Sequence, residues 1–211
     1  MTAPKKKPGI QRLLEFQKLL LQFSQVQRVV DRKQGDAYIL ESDTEHSYNL
    51  ALSAWYLAAY FPRLNIDKII RFALVHDLVE VHAGDTYVYG EQAHLDSKAA
   101  REAAALKQLT AEWPDFPAMA AWIEEYEART SEEAKFVYAL DKIMPIMQIY
   151  LADGYTWKRE GNITPERLDG IKREKVALSP QIKPYYDQLF ALLVQNRHFF
   201  GSHSDSKTAT V

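Results

Sequence analysis

The residues of this sequence best suited to chemistry are two histidines and two aspartates, types that bind divalent metal ions. They are His46, the adjacent pair His76 and Asp77, and Asp141. Two imidazoles and two carboxylates form a plausible ligand set for one ion, and on a six-coordinate ion they leave positions for water and substrate. Each residue alone is more simply explained as a core histidine or a solvated acid. The ordered set favours a metal site, because Asp141 follows the apolar run Phe136–Leu140 and a buried carboxylate needs a partner.

The donor atoms of this set limit the metal without selecting one ion. The chain has no cysteine, so thiolate ligands are excluded, and the four residues offer nitrogen and oxygen donors in equal number. Such a set suits Mn²⁺, Fe²⁺, Co²⁺, Ni²⁺ or Zn²⁺, and it suits Mg²⁺ less well. We therefore expect a divalent transition metal at this site.

Two further acids, Glu80 and Asp85, lie close to the His76–Asp77 pair along the chain. Glu80 follows Asp77 by three residues, so on a helix it lies on nearly the same face, one turn further on. Such acids either take or orient a proton of the attacking water, or hold a second hard cation such as Mg²⁺ that bridges to a substrate phosphate. The alternative is two solvated acids at a helix C-terminus, where the helix dipole disfavours negative charge. The position therefore slightly favours a catalytic role.

Helical periodicity dominates the elements that must position these residues. Ser42 and Glu45 have capping-box spacing, Asn65 and Ser131 are candidate caps, and Thr164 precedes a proline. The predicted helices run over Ile10–Val26 (with Ile10, Leu13, Leu14, Leu20, Phe23 and Val26 on the apolar face), Ser42–Tyr60, Asn65–Val81, from Asp96 or Ser97 to before Pro114, Phe116–Arg129, from Ser131 through a kink at Pro145, from Pro165, and from Pro184 to Phe199. Residues 31–43 are predicted to form a loop with a short extended piece over 37–40. We therefore predict one all-α domain over residues 10–200, with flexible tails at 1–9 and 201–211.

The composition excludes several classes of function. The 211 residues are 47% hydrophobic and 26% charged, as in ordinary soluble proteins. A formal net charge of −2 lacks the basic excess of nucleic-acid-binding proteins. No apolar stretch reaches the roughly 18 residues of a membrane-spanning helix, and no signal peptide is evident. We expect a cytoplasmic protein that binds neither nucleic acid nor membrane. The aromatic residues near the C-terminus indicate either core packing or a contact between the subunits of a homodimer.

Longer strings around the candidate ligands resemble the HD-domain metal-dependent phosphohydrolases. The string over 41–47, ESDTEHS, precedes the string over 76–86, HDLVEVHAGDT, and both are similar to that family. The string over 125–137, EYEARTSEEAKFV, with Leu140-Asp141-Lys142 after it, is especially similar to the 5′-deoxynucleotidase branch. The resemblance covers roughly residues 10–160 and implies a single HD-domain-type helical bundle.

The resemblance also implies an activity, namely hydrolysis of deoxynucleoside 5′-monophosphates to nucleoside and phosphate. It implies that His46, His76, Asp77 and Asp141 bind the metal, and that Glu80 and Asp85 serve catalysis or a second metal. A basic residue matching Arg32 is expected to contact the phosphate, although a solvated arginine is an equal alternative. Lys33 stands where some relatives have an aromatic residue that packs near the sugar. We therefore expect ribonucleotides to be cleaved as well, with deoxynucleotides preferred.

Two other functions remain open. One is an HD phosphohydrolase that acts on nucleoside triphosphates, cyclic nucleotides or alarmones, and the other is a non-catalytic nucleotide sensor. A triphosphate pocket needs several converging basic residues, and the sequence suggests only Arg32, Lys33 and Lys142. The presence of both Glu80 and Asp85 argues against a sensor.

Overall fold

The computed structural model describes residues 7–201, and their regular structure is helical apart from one two-stranded antiparallel hairpin. The elements in chain order are α1 (Ile10–Phe23), β1 (Gln27–Gln34), β2 (Ala37–Ser42), α2 (Asp43–Ala58), α3 (Ile66–Val75), α4 (Glu80–Ala83), α5 (Gln92–Glu112), α6 (Pro117–Ala128), α7 (Glu132–Leu151), α8 (Tyr155–Glu160), α9 (Pro165–Val176) and α10 (Lys183–Gln195), with a last 3₁₀ turn at Arg197–Phe199. The predicted all-α class is confirmed. The predicted tails fall mainly on residues 1–6 and 202–211, which lie outside the described residues.

Side-chain caps fix the starts of the helices that carry the site. The Ser42 hydroxyl accepts a hydrogen bond from the Glu45 amide, while the Glu45 carboxylate accepts one from the Ser42 amide, which is a complete capping box. Asn65, Ser131 and Thr164 cap α3, α7 and α9 as predicted, each with a side-chain oxygen that accepts one backbone hydrogen bond and without the reciprocal bond of a capping box. The cap at Ser42 places His46 in the first turn of α2.

The helix predicted over 65–81 is interrupted, which is a correction at the centre of the site. α3 ends at Val75, residues 76–79 form a turn, and α4 then runs from Glu80 to Ala83. Within the turn the amides of Leu78 and Glu80 bond to carbonyl groups three residues back, at 3.1 and 2.8 Å, instead of four. Gly84, with φ of 71°, ends α4. The adjacent His and Asp therefore lie on a tight turn and not on one continuous helix.

The hairpin was predicted only in part. β1 pairs with β2 where the sequence suggested a loop. The first strand was not predicted because charged residues interrupt its apolar alternation. The pairing has an irregularity between Gln27 and Asp31, so that the successive residues Val30 and Asp31 are both buried. Asp31 is held there by the Thr156 hydroxyl at 2.9 Å and by Arg159 at 2.6 Å. Arg28 lies within this irregular stretch, and Arg32 lies just beyond it.

The core is centred on α7, which packs against β1, α2, α3, α6 and α9 and includes Pro145 without ending there. A smaller apolar cluster lies between α1, α5 and α6. The face predicted for α1 is wrong in its first turns, since Ile10, Leu13 and Leu14 are exposed and Leu19 and Phe23 carry the packing. The C-terminal aromatics Tyr186, Phe199 and Phe200 belong to the core. No helix within residues 7–201 is long and apolar enough to cross a membrane.

Candidate active site

The four predicted metal ligands converge from three separate elements. His46 comes from α2, His76 and Asp77 from the turn after α3, and Asp141 from the middle of α7, and their ligand atoms all lie within 4.8 Å of one another. His46 Nε2 is 3.0 Å from Asp141 Oδ1, and His76 Nε2 is 3.0 Å from Asp77 Oδ2 and 3.8 Å from Asp141 Oδ1. His46, His76 and Asp141 are each at most 3% exposed. The sequence order thus corresponds to a compact cluster in space.

The buried cluster is held together by its own charges. Burial and the charge of Arg28 oppose protonation of His46, but its contacts with Asp141 and with Glu41, 3.4 Å away, outweigh them and raise its pKa. Burial alone would raise the pKa of Asp141, yet Lys142 at 2.6 Å and the contact with His46 hold it well below the usual range. Asp77 is likewise kept ionised against burial by its contacts with His76 and Arg28, which lower its pKa.

The hydrogen bonding of His76 fits metal binding. Its Nδ1 lies 2.9 Å from the carbonyl oxygen of Ala73, which is an acceptor, so the ring proton resides on Nδ1. Its Nε2 is buried and has no hydrogen-bond partner among the described residues. With the ring proton on Nδ1, Nε2 presents a lone pair on the side of Asp77 and Asp141. The donor set of two nitrogens and two carboxylates therefore fits a divalent ion, without selecting among the transition metals named above.

Glu80 and Asp85 line the same cavity as His76, Asp77 and Asp141. Glu80 is 2% exposed, and its oxygen approaches those of Asp43 and Asp77 to within 4.8 Å. One of its carboxylate oxygens has no hydrogen-bond partner within residues 7–201, and Lys98 Nζ is 3.8 Å from the other. Burial, with the negative charges of Asp77 and Asp43, raises the pKa of Glu80 well above its usual value. Glu80 is therefore not the solvated acid of the simpler interpretation.

Of the two arginines of β1, Arg28 contacts a predicted metal ligand, whereas the sequence suggested Arg32 as the residue that contacts the phosphate. Arg28 Nη1 lies 2.6 Å from Asp77 Oδ2 and 3.0 Å from Asp43 Oδ1. Arg32 instead pairs with Glu45 at 2.6 Å, and neither it nor Lys33 lines the cavity. Arg28 lies in the irregular stretch between Gln27 and Asp31, whereas Arg32 lies in the regular part of the hairpin, opposite Ile39. The structure thus places the predicted substrate-binding pair outside the cavity.

Lys33 extends away from this site. It is half exposed and lies 3.6 Å from Asp153, and it does not line the cavity. An argument about sugar selectivity that rests on Lys33 therefore has no structural support.

The cavity next to these residues has a volume of about 470 Å³, within the range of small-molecule sites. Aromatic side chains contribute to its wall, among them Tyr87, Tyr89, Tyr126, Tyr138 and Trp157. Among the described residues, six basic side chains line it, namely Arg28, Lys98, Arg129, Lys142, Lys172 and Lys175. The expectation of few basic residues at the site was therefore wrong. The sequence did not indicate Lys98, Lys172 and Lys175, because they lie in charged helical stretches that are typical of solvent-exposed helix faces.

A helical bundle that gathers His46, His76–Asp77 and Asp141 in one cluster beside a cavity defines the class of HD-domain proteins. The HD domain family model matches residues 25–183, and the chain belongs to this family. The family predicted from the sequence is confirmed.

Several relatives narrow the resemblance further. The chain is 40% identical over 111 residues to 5′-deoxynucleotidase HDDC2 of Mus musculus, a match that covers 51% of this chain and 54% of the mouse protein. It is 35% identical over 149 residues to 5′-deoxynucleotidase HDDC2 of Homo sapiens, which covers 66% of this chain and 68% of the human protein. The chain thus spans about half of the mouse relative and about two thirds of the human one. These names agree with the branch that the sequence resembles.

Solved structures share the fold. A protein from Magnetospirillum magnetotacticum MS-1, described as a "Predicted metal-dependent phosphohydrolase", superposes with a TM-score of 0.74 at 28% identity and covers 90% of this chain and 96% of its own. The PH0347 protein from Pyrococcus horikoshii OT3 superposes with a TM-score of 0.59 at 22% identity and covers 87% of this chain and 99% of its own. At 22% identity, the similarity to the PH0347 protein shows a common fold and nothing more.

Proposed function

We propose that this protein is a metal-dependent phosphomonoesterase that hydrolyses deoxynucleoside 5′-monophosphates to nucleoside and phosphate. The observation that carries the proposal is the convergence of His46, His76, Asp77 and Asp141 beside the buried acid Glu80, at a cavity of about 470 Å³. The 5′-deoxynucleotidase names of the relatives support the choice of substrate.

The four clustered residues would hold a divalent transition metal, with Mn²⁺, Fe²⁺, Co²⁺, Ni²⁺ and Zn²⁺ as candidates and Mg²⁺ at any second site that includes Glu80 and Asp85. When bound, the ion supplies Lewis acidity, which polarises a phosphoryl oxygen and lowers the pKa of water. Arg28 replaces Arg32 as the proposed phosphate contact. Its guanidinium is fixed by Asp43 and Asp77, which leaves its remaining N–H donors available for a phosphate.

Glu80 is the general acid–base residue in this proposal, and Asp85 is the second acid at the cavity. Hydrolysis adds water to phosphorus and breaks the bond from phosphorus to the 5′-oxygen, so one proton leaves the water and one reaches the departing nucleoside. In its ionised form Glu80 accepts the first proton, and it can return this proton to the 5′-oxygen. Its place beside Asp77, with a carboxylate oxygen that has no hydrogen-bond partner within residues 7–201, supports this role.

A homodimer in the cytoplasm is part of the proposal, with no binding to nucleic acid or membrane. The support for a dimer is a strip of exposed large side chains along the outer face of α2 and just beyond it, formed by Tyr48, Leu52, Trp55, Tyr56 and Tyr60. Contiguous exposed apolar side chains of this kind mark interaction surfaces. Light scattering on the wild type and on Trp55→Glu tests it, since a dimer that uses this strip becomes monomeric in the variant.

A phosphate-release assay over a nucleotide panel tests the activity. The metal-loaded chain is compared on deoxynucleoside mono-, di- and triphosphates, ribonucleoside monophosphates and cyclic nucleotides, with Asp141→Asn as the inactive control and Asp153→Asn as the matched control outside the cavity. We expect the monophosphates to be the best substrates. Strong preference for triphosphates or cyclic nucleotides would refute the monoesterase proposal, and binding without turnover by any of them would indicate a sensor.

A further inference from the structure

The basic side chains of the cavity divide into two groups by their partners. Four of them contact an acid, since Arg28 pairs with Asp77, Lys98 with Glu102 at 3.0 Å, Lys142 with Asp141, and Arg129 approaches Glu127 at 3.7 Å. Lys172 and Lys175 line the same cavity, and within residues 7–201 neither has a hydrogen bond or an ion pair. Within the described part of the chain, these two lysines are the cations of the cavity that lack a counter-charge.

Lys172 is buried to an unusual degree for an unpaired lysine. Its side chain is on α9, which packs against α7, and the residue is 9% exposed. The charged groups that influence it are Lys142 and Asp141 of α7, Lys175 of its own helix and Arg28 of β1. Burial lowers the pKa of Lys172 to about 7, and the positive charges of Lys142 and Lys175 contribute in the same direction. A buried amine without a partner is unfavourable, so its position calls for a functional reason.

Lys175 extends this unpaired positive charge along the cavity wall. It follows Lys172 by three residues on α9, so the two lie on the same face of the helix. Burial, and then the charges of Lys142 and Lys98, lower its pKa. Three amines, those of Lys142, Lys172 and Lys175, therefore gather at one side of the cavity, close to Asp141.

We propose that Lys172 and Lys175, together with Lys142, form an oxyanion subsite that binds a phosphate group in the cavity. Each ammonium offers three N–H donors and a compact positive charge, which suits a phosphate. The phosphate is either the one that is hydrolysed or a further phosphate of a nucleoside di- or triphosphate. The nature of the substrate rests on the proposed function, but the binding of an oxyanion does not.

Binding of inorganic phosphate and of sulfate to the metal-loaded full chain tests the subsite directly. Calorimetry is done on the wild type, Lys172→Met, Lys175→Met and Lys107→Met, the last being an exposed lysine outside the cavity. We expect Lys172→Met to weaken the binding of both anions by about 10-fold or more, since a hydrogen bond to a charged group is lost. Lys175→Met should weaken their binding less. Lys107→Met should bind like the wild type. Unchanged affinity in Lys172→Met and Lys175→Met would overturn the proposal.

Thermal unfolding of the same variants separates a binding role from a structural one. Methionine fills similar space without a desolvated amine, so Lys172→Met should be as stable as the wild type or more stable while it binds phosphate less well. A lower Tm together with unchanged phosphate affinity would mean that Lys172 serves the fold and would refute the subsite.

Nucleotide binding then identifies which phosphate occupies the subsite. A loss of affinity for deoxyadenosine monophosphate in Lys172→Met assigns the subsite to the phosphate that reacts, and a loss confined to the di- and triphosphate assigns it to a phosphate beyond that one. Failure of the proposed function is distinct from either result. If no monophosphate is hydrolysed while binding of inorganic phosphate still depends on Lys172, the nucleotidase proposal fails and the subsite stands.

Discussion

The two sides of the cavity differ in how their charged side chains are paired. On the side of His46 and His76, buried carboxylates contact imidazoles or basic groups, as Asp141 does with His46 and Lys142. On the side of α9, Lys172 and Lys175 have no acidic partner among the described residues. The first side is suited to exchange its internal pairs for a cation, whereas the second is suited to receive an anion. A phosphate ester next to a divalent ion would satisfy both sides.

The largest effect is expected from loss of a ligand on the first side. His76→Gln should reduce bound metal and bring phosphate release to the level of metal-free protein, because Nε2 is the buried ring nitrogen of the cluster that has no hydrogen-bond partner within residues 7–201. His82 lies six residues further on, pairs with Glu112 and does not line the cavity, so His82→Gln is the matched control. Metal content by mass spectrometry and phosphate release are measured together. Full metal content and full activity in His76→Gln would show that His76 is not a metal ligand.

Loss of the buried acid should have the next largest effect. Glu80→Gln keeps the shape of the side chain but removes its ability to accept a proton, so turnover should fall by about 10²-fold while bound metal is nearly unchanged. Glu112→Gln, at an exposed acid of α5, serves as the control. If metal content fell in proportion to activity, Glu80 would be a ligand instead, and wild-type turnover would exclude the acid–base role.

Variants of Arg28 and Arg32 test which of the two arginines contacts the substrate phosphate. Arg28→Lys preserves the charge beside Asp77 but loses the planar fork, so KM for a nucleoside monophosphate should rise by about 10-fold. Arg32→Lys should leave KM unchanged, because Arg32 pairs with Glu45 away from the cavity. Steady-state kinetics of the two variants decide between the residues. A higher KM in Arg32→Lys alone would restore the assignment made from the sequence.

The smallest expected effect is a pH dependence of stability that originates on the α9 side. Because the pKa of folded Lys172 is about 7, well below its ordinary value of 10.5, the unfolded chain binds more protons than the folded chain between these values. The free energy of unfolding should therefore gain on the order of 1 kcal/mol per pH unit from Lys172 as the pH rises above about 7. Urea unfolding at pH 7, 8 and 9 measures the slope, which should be smaller in Lys172→Met. Equal slopes in both proteins would show that Lys172 keeps its ordinary pKa.

Much of the cation-binding side could be predicted from the sequence. The residue types and order of His46, His76, Asp77 and Asp141 suffice to suggest a common site, because helices capped at Ser42 and Ser131 bring distant residues together in a packed bundle. Local hydrogen-bonding patterns determine those caps, so they are visible in a short stretch of sequence.

The anion-binding side could not be predicted in the same way. Arg28 reaches the cavity from an irregular stretch of strand pairing, whereas Arg32, in the regular part, does not reach it. Lys172 lies in a highly charged stretch, RLDGIKREKV, that resembles a solvated helix, and only the packing of α9 on α7 buries it. The turn at 76–79 likewise departs from an uninterrupted helical pattern. In each case tertiary contacts determine the result.

A metal titration of the wild-type chain tests the central claim most directly. The protein is stripped with a chelator and then supplied with Mn²⁺ or Co²⁺ in measured amounts, while bound metal and phosphate release from deoxyadenosine monophosphate are followed in the same samples. We predict that phosphate release is absent from the stripped chain and rises in proportion to the ion bound at the cluster of His46, His76, Asp77 and Asp141. Phosphate release that is independent of bound metal would contradict the account.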